Sequence, residues 1–141
     1  MSIRAFALAA ATLGLAGCVP PTQTTAEVAG VEWLLVGIEG QAVDWRASLR
    51  LEGDKASGQA PCNRWFASNS AALPGINLGE IGATRMACPD LAAESAYFEA
   101  LQAMQRTEVD QGHLFLIGME GRIMEFARDP NQPCLSCLAR Q

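Results

Sequence analysis

At 141 residues the chain has room for one domain with a modest core and not for two. Lys and Arg total 10 against 15 Asp and Glu, a formal net charge of −5, which argues against nucleic acid as a partner because phosphate binding demands a basic face. A single histidine narrows the general-base and metal chemistry that the chain can support.

Met1 to Arg4 is a short basic start, and Ala5 to Leu15 is an apolar run of signal-peptide length, too short to cross the ~30 Å hydrocarbon core as a permanent helix. It runs into Leu15-Ala16-Gly17-Cys18, which resembles the lipobox of bacterial lipoproteins: small residues fit the peptidase cleft, and the thiol accepts the lipid. The expectation is that residues 1–17 are removed and that Cys18 becomes the acylated first residue of the mature chain. Acyl chains contribute about 0.8 kcal/mol per buried CH₂, so two or three together hold a protein on a membrane. Val19 stands where an Asp would retain an enterobacterial lipoprotein in the inner membrane, so the resemblance implies the outer membrane, with the domain facing the periplasm. Residues 18–30, rich in Pro and Thr around Val19 to Ala29, are expected to form a flexible tether.

The domain itself is expected over 31–128. Val31 to Ile38 is β-branched and apolar and reads as a first strand closed by Gly40. Ala47 to Glu52 alternates apolar and polar residues, and Gly53-Asp54 turns it into Lys55 to Ala60 as a hairpin. Asn63 to Ser68 follows as a strand carrying Trp65 and Phe66. Leu73 to Ile81, broken by Pro74, Gly75 and Gly79, predicts a loop with a short strand. Pro89 and Asp90 favour a helix start, since proline lacks the N–H that a first turn leaves unused and the carboxylate faces the positive dipole end. Leu91, Glu94, Phe98 and Leu101, with Tyr97 and Met104 beside them, recur at helical spacing and predict an amphipathic helix through Met104, packed on a sheet. Arg106 to Asp110, His113 to Ile117 and Ile123 to Ala127 complete the strands around turns at Gln111-Gly112 and Glu120-Gly121. Strands, one helix, then strands with short turns indicate an α+β domain on an antiparallel sheet.

Five cysteines are odd in number, and giving Cys18 to lipid leaves four, which suggests disulfides in an oxidising compartment. Four cysteines allow three pairings, of which Cys62 with Cys88 and Cys134 with Cys137 is the simplest.

Gly58 to Phe66 (GQAPCNRWF) and Ala83 to Cys88 (ATRMAC), followed by a helix carrying Glu94, Phe98 and Leu101, resemble the META domain, also called the HslJ-like heat-shock lipoprotein family. Trp33-Leu34-Leu35, Leu49 and Leu51 before the Gly-Asp turn, and the Leu114-Leu116 hairpin extend the likeness over about Val31 to Arg128. The resemblance implies a curved antiparallel sheet, a cracked or partial barrel, with one helix packed against it. It also implies links to heat shock, drug resistance and, through likeness to secretion pilotins, envelope assembly. The segment 129–141, with Cys134-Leu135-Ser136-Cys137, is an added tail that the family does not account for.

The chemistry is sparse. A Cys-x-x-Cys redox centre sits at a helix start in a βαβ framework, whereas Cys134 and Cys137 lie in a proline-flanked tail and are expected to be structural. Cys134, Cys137 and His113 make only three zinc ligands where a structural site needs four. His113 is expected at an exposed or turn-edge position. No Ser-His-Asp order and no cofactor fingerprint stands out, so neither catalysis nor a cofactor is expected. Asn63, Arg64, Thr84 and Arg85 either line a polar binding site beside a Cys62–Cys88 bridge or divide into turn-forming and solvated residues. The expectation is a monomeric, non-enzymatic envelope lipoprotein, anchored to the membrane through its lipid, that supports outer-membrane integrity or stress tolerance by binding an envelope protein or lipid. A pilotin-like chaperone holding an apolar peptide or lipid in the barrel crack, and a periplasmic thiol–disulfide protein using Cys134 and Cys137, are the alternatives.

Overall fold

A computed structural model describes residues 25–138; the proposed signal segment and Cys18 lie outside the described residues. The chain forms α1 (Thr25–Val28), β1 (Trp33–Ile38), β2 (Gln41–Ala42), β3 (Ser48–Glu52), β4 (Lys55–Gln59), β5 (Arg64–Ser68), β6 (Gly82–Ala83), α2 (Leu91–Gln102), β7 (Met104–Asp110), β8 (His113–Gly118), β9 (Ile123–Ala127) and α3 (Leu135–Leu138). The nine strands make one sheet in the order β6-β5-β4-β3-β1-β9-β8-β7, with β2 paired to the end of β1. Every strand pair is antiparallel. β1 therefore sits at the centre, with Leu34 opposite Ser48 of β3 on one side and Ala127 of β9 on the other.

The sheet is curved and open, not a closed barrel. β6 and β7 are its two edges, and the 69–79 loop spans part of the gap between them. Asn69 bridges to Leu78 and Gly75 to Arg106, the Ile76 N–H donates to the Gln105 carbonyl at 2.9 Å, and the Thr107 N–H donates to the Pro74 carbonyl at 2.7 Å. The loop expected over 73–81 thus serves as a partial seam, and the short strand expected within it falls just beyond, at β6.

Alternation in the strands sends one set of side chains to the concave face. Trp33, Leu49, Leu51, Trp65, Leu114, Leu116, Met124 and Phe126 are all buried there. α2 covers this face with Tyr97, Ala100 and Leu101. The Tyr97 hydroxyl and the Trp65 Nε1–H both donate to the Ser48 carbonyl, at 2.8 and 3.2 Å, and Tyr97 meets Trp45 and Trp65 edge to face. Burial pushes the Tyr97 phenol well above its ordinary value, opposed in part by the neighbouring Trp65 N–H.

Two boundaries and one face assignment differ from the sequence expectations. The tether does not extend to residue 30: Val28 is buried, its carbonyl accepts the Trp33 Nε1–H at 3.2 Å, and Ala29 bridges to Leu51, so the core recruits residues whose composition looks like linker. The helix ends at Gln102 and Met104 begins β7, because an apolar residue fits either period at that point. Leu91 is 49% exposed although it shares the helical spacing of the core face; the buried stripe is Glu94, Tyr97, Ala100 and Leu101.

Candidate functional site

The two signature segments meet around a buried carboxylate. Asn63 closes the β4–β5 connection by accepting the Ala60 N–H on its carbonyl at 2.8 Å. This tight bend aims the N–H groups of Cys62 and Asn63 at Glu94 on α2, whose Oε2 accepts them at 3.0 and 2.8 Å. The Asn63 Nδ2 donates to Glu94 Oε1 at 2.7 Å. On its other side, Asn63 Oδ1 accepts the Thr84 hydroxyl at 3.0 Å and the Met86 N–H at 2.7 Å. The Thr84 Oγ1 in turn accepts the Arg64 N–H at 3.1 Å, and the Thr84 N–H donates to the Arg64 carbonyl at 3.0 Å. A Cys62–Cys88 disulfide closes the same knot. Asn63 and Glu94 are 2% and 6% exposed, and each polar atom of both side chains has a partner, which is what a polar group away from water requires.

Of the four residues expected at a binding site, Asn63 and Thr84 are therefore occupied in building the loop, while Arg64 and Arg85 point to solvent. A shallow depression above the knot is lined by Glu80, Ile81, Arg85, Met86 and Leu91. Met86 is 63% exposed, and Phe66 lies nearby on the outer face against Gly82, where a built Cβ would come within 2.6 Å of its ring. The role of Glu94 was missed by pattern reading. A carboxylate inside an otherwise apolar helical stripe was the available signal.

The C-terminal segment builds a second cluster on the opposite, convex face. Cys134 and Cys137 form a disulfide, so the four described cysteines adopt the simplest of their three pairings. Cys134 packs on Val36 and Ala127, with Cys137 beside it. Gly37 of β1 leaves room for them, since a Cβ there would come within 2.5 Å of the Cys134 sulfur. Glu125 of β9 is fully buried beneath the segment and accepts the Leu135 N–H at 2.7 Å, the Ser136 N–H at 2.8 Å and the Ser136 hydroxyl at 2.6 Å. His113 does lie beside the β7–β8 turn, paired with Asp110, but it is not exposed: only 3% of it is accessible. Its Nδ1 lies 2.8 Å from Glu125 Oε1. Among the described residues no group of three or more His, Cys, Asp or Glu side chains is arranged to hold a metal ion, and no helix is long and apolar enough to cross a membrane.

Residues 26–131 match the family model of the META domain. The fold is shared with an NMR structure of a protein from Burkholderia xenovorans, at a TM-score of 0.59 and 24% identity over 86% of this chain and 99% of that one. A crystal structure of a DUF4847 family protein from Bacteroides vulgatus is similar at a TM-score of 0.58, with 12% identity over 74% of this chain and 96% of that one. Comparison with curated proteins gives no match. The matched span takes in both signature segments, the helix between the two groups of strands and all nine strands, and the chain belongs to the META domain family.

Proposed function

We propose that the protein is a lipid-anchored, non-enzymatic component of the bacterial envelope, in which the META domain supports outer-membrane integrity or stress tolerance by binding another envelope component. The observation that carries this is the division of labour in the signature segments. Asn63, Thr84 and Glu94 are consumed in holding the knot, so Arg64, Arg85, Met86 and Leu91 are left facing outward on a rigid base. Two guanidinium groups beside exposed apolar side chains, on a chain that is acidic overall, suit a partner that offers both carboxylate or phosphate oxygens and apolar surface. The lipobox-like Leu15-Ala16-Gly17-Cys18 supports attachment at the membrane, and the disulfides suit an oxidising compartment.

Other roles have less support. An apolar peptide or lipid held inside the sheet, as a pilotin-like chaperone would hold it, has to displace Trp33, Trp65, Tyr97 and Phe126, all buried in the core. A thiol–disulfide protein needs an accessible attacking sulfur, whereas Cys134, the first of its pair, is only 7% exposed. Two measurements test the proposal. Globomycin should leave an unprocessed precursor, and normal maturation under the drug would remove the lipid anchor. Cross-linking from native membranes should capture an envelope component that an Arg64→Glu, Arg85→Glu variant fails to capture; equal capture by the variant would dismiss the rim as the binding surface.

A further inference from the structure

The C-terminal segment has features that a passive tail does not need. A four-residue helix has no stability of its own in water, yet α3 (Leu135–Leu138) is held against the convex face at several points. Its first two N–H groups and the Ser136 hydroxyl converge on one carboxylate, Glu125, which is wholly buried. Glu125 and Ala127 alternate with the core residues Met124 and Phe126, so they belong to the convex face, where the added segment packs over them. A notch at Gly37 admits both sulfurs, with a built Cβ 2.5 Å from one and 3.1 Å from the other. The match to the META family ends at residue 131, so the disulfide-bearing part is this chain's addition to the common domain.

We propose that residues 129–138 are a redox-operated strap. With the Cys134–Cys137 bond formed, the tight turn is locked in the shape that presents the Leu135 and Ser136 N–H groups to Glu125, and the strap covers Val36, Ala127 and Glu125. Opening is a thiol–disulfide exchange with an external dithiol. One of its thiolates attacks the half-buried Cys137 sulfur, the Cys134–Cys137 bond breaks with Cys134 leaving as thiolate, and a mixed disulfide forms on Cys137; the second external thiolate then attacks the external sulfur of that bond and displaces Cys137. The external pair leaves as a disulfide, and Cys134 and Cys137 keep the two electrons and two protons as thiols. Without its cross-link the turn frays, Glu125 regains water, and the convex faces of β1 and β9 are uncovered. This inference does not depend on what binds the Arg85 rim.

Amide hydrogen exchange on the full mature chain tests it, comparing the oxidised protein, the same protein after treatment with a dithiol reductant, and a Cys134→Ser, Cys137→Ser variant that retains Cys62–Cys88. Exchange at Leu135 and Ser136 should quicken by about tenfold or more in both altered forms, while β8 amides keep their protection as an internal check on folding. A Glu125→Gln variant with the disulfide intact should quicken the same amides to a smaller degree. Strap amides that stay within about twofold of the oxidised rate would overturn the proposal. Equal quickening of β8 would also overturn it, because the disulfide would then be supporting the whole fold and not operating a local strap.

Discussion

Glu94 accepts the Asn63 N–H at 2.8 Å and the Asn63 Nδ2–H at 2.7 Å across 31 residues of sequence, so one carboxylate on α2 holds both the backbone and the side chain of the β4–β5 bend. The bend cannot move without stranding these donors away from water, and the rim that carries Arg85 and Met86 is positioned through the same asparagine.

Glu94→Ala should therefore destabilise the domain by about 3 kcal/mol, since three buried N–H donors, from Cys62, Asn63 and the Asn63 amide, lose their acceptor. Glu94→Gln should cost about 1–2 kcal/mol, because its amide NH₂ would face the Asn63 NH₂, and Asn63 cannot turn over without losing the Met86 N–H. Urea unfolding should show lower midpoints at an unchanged slope, with Ala worse than Gln. Equal midpoints for Glu94→Ala and the parent would contradict the assignment.

Removing the bridge beside this knot acts mainly on the unfolded chain. Cys62→Ala with Cys88→Ala frees a 26-residue separation and should lower stability by about 3.5 kcal/mol on the chain-entropy estimate. The loss should be much smaller for the pair at Cys134 and Cys137, three residues apart. Denaturation of the two double variants side by side checks the order.

Two glycines of the same hairpin should respond to very different degrees. A Cβ at Gly58 would fall 1.9 Å from the Ser48 carbonyl oxygen, the atom that also receives Tyr97 and Trp65. Gly58→Ala should push β4 from β3 and cost about 3 kcal/mol or more. Gly53 has φ +59° and no atom within 4 Å of a built Cβ, so Gly53→Asn, which tolerates a left-handed backbone, should cost less than about 1 kcal/mol. Thermal midpoints of the two single variants decide the matter.

Tyr97 makes alkaline stability a specific expectation. Its phenol is held neutral by burial, with a folded pKa well above the ordinary 10.0, so folding protects the protonated form. That contribution is complete below the unfolded value and is lost as pH rises from there toward the folded one. Tyrosinate absorbance should appear only as the protein unfolds. Tyr97→Phe should cost about 1 kcal/mol at neutral pH through the lost bond to Ser48, while flattening the alkaline decline. Early, reversible tyrosinate formation in folded protein would contradict the burial argument.

Much of the fold was legible in the chain because the relevant signals are local. Strict alternation over Ala47 to Glu52, the Gly53-Asp54 turn and the run from Ile123 to Ala127 each specify their strands within a few residues, as a period of two must. The helix start after Pro89 and Asp90 is likewise local chemistry. The signature segments were legible as a pair, but their internal roles were not. Asn63, Arg64, Thr84 and Arg85 look equally polar in sequence, and only their distances to Glu94 separate the residues that build the bend from those that face outward.

Sequence alone determined the main strands and the long helix, their order, the tight turns at Gly53-Asp54 and Gln111-Gly112 and the cysteines available to pair, since each depends on residues close together in the chain; it did not mark α1, β2 or α3. Tertiary structure alone decided that β1 lies between β3 and β9, that Glu94 and Glu125 are buried, and that the C-terminal segment packs over Glu125. Those outcomes rest on contacts between distant residues, where a carboxylate's surroundings depend on which other segment arrives to solvate it, and no local pattern of residue types records that arrival.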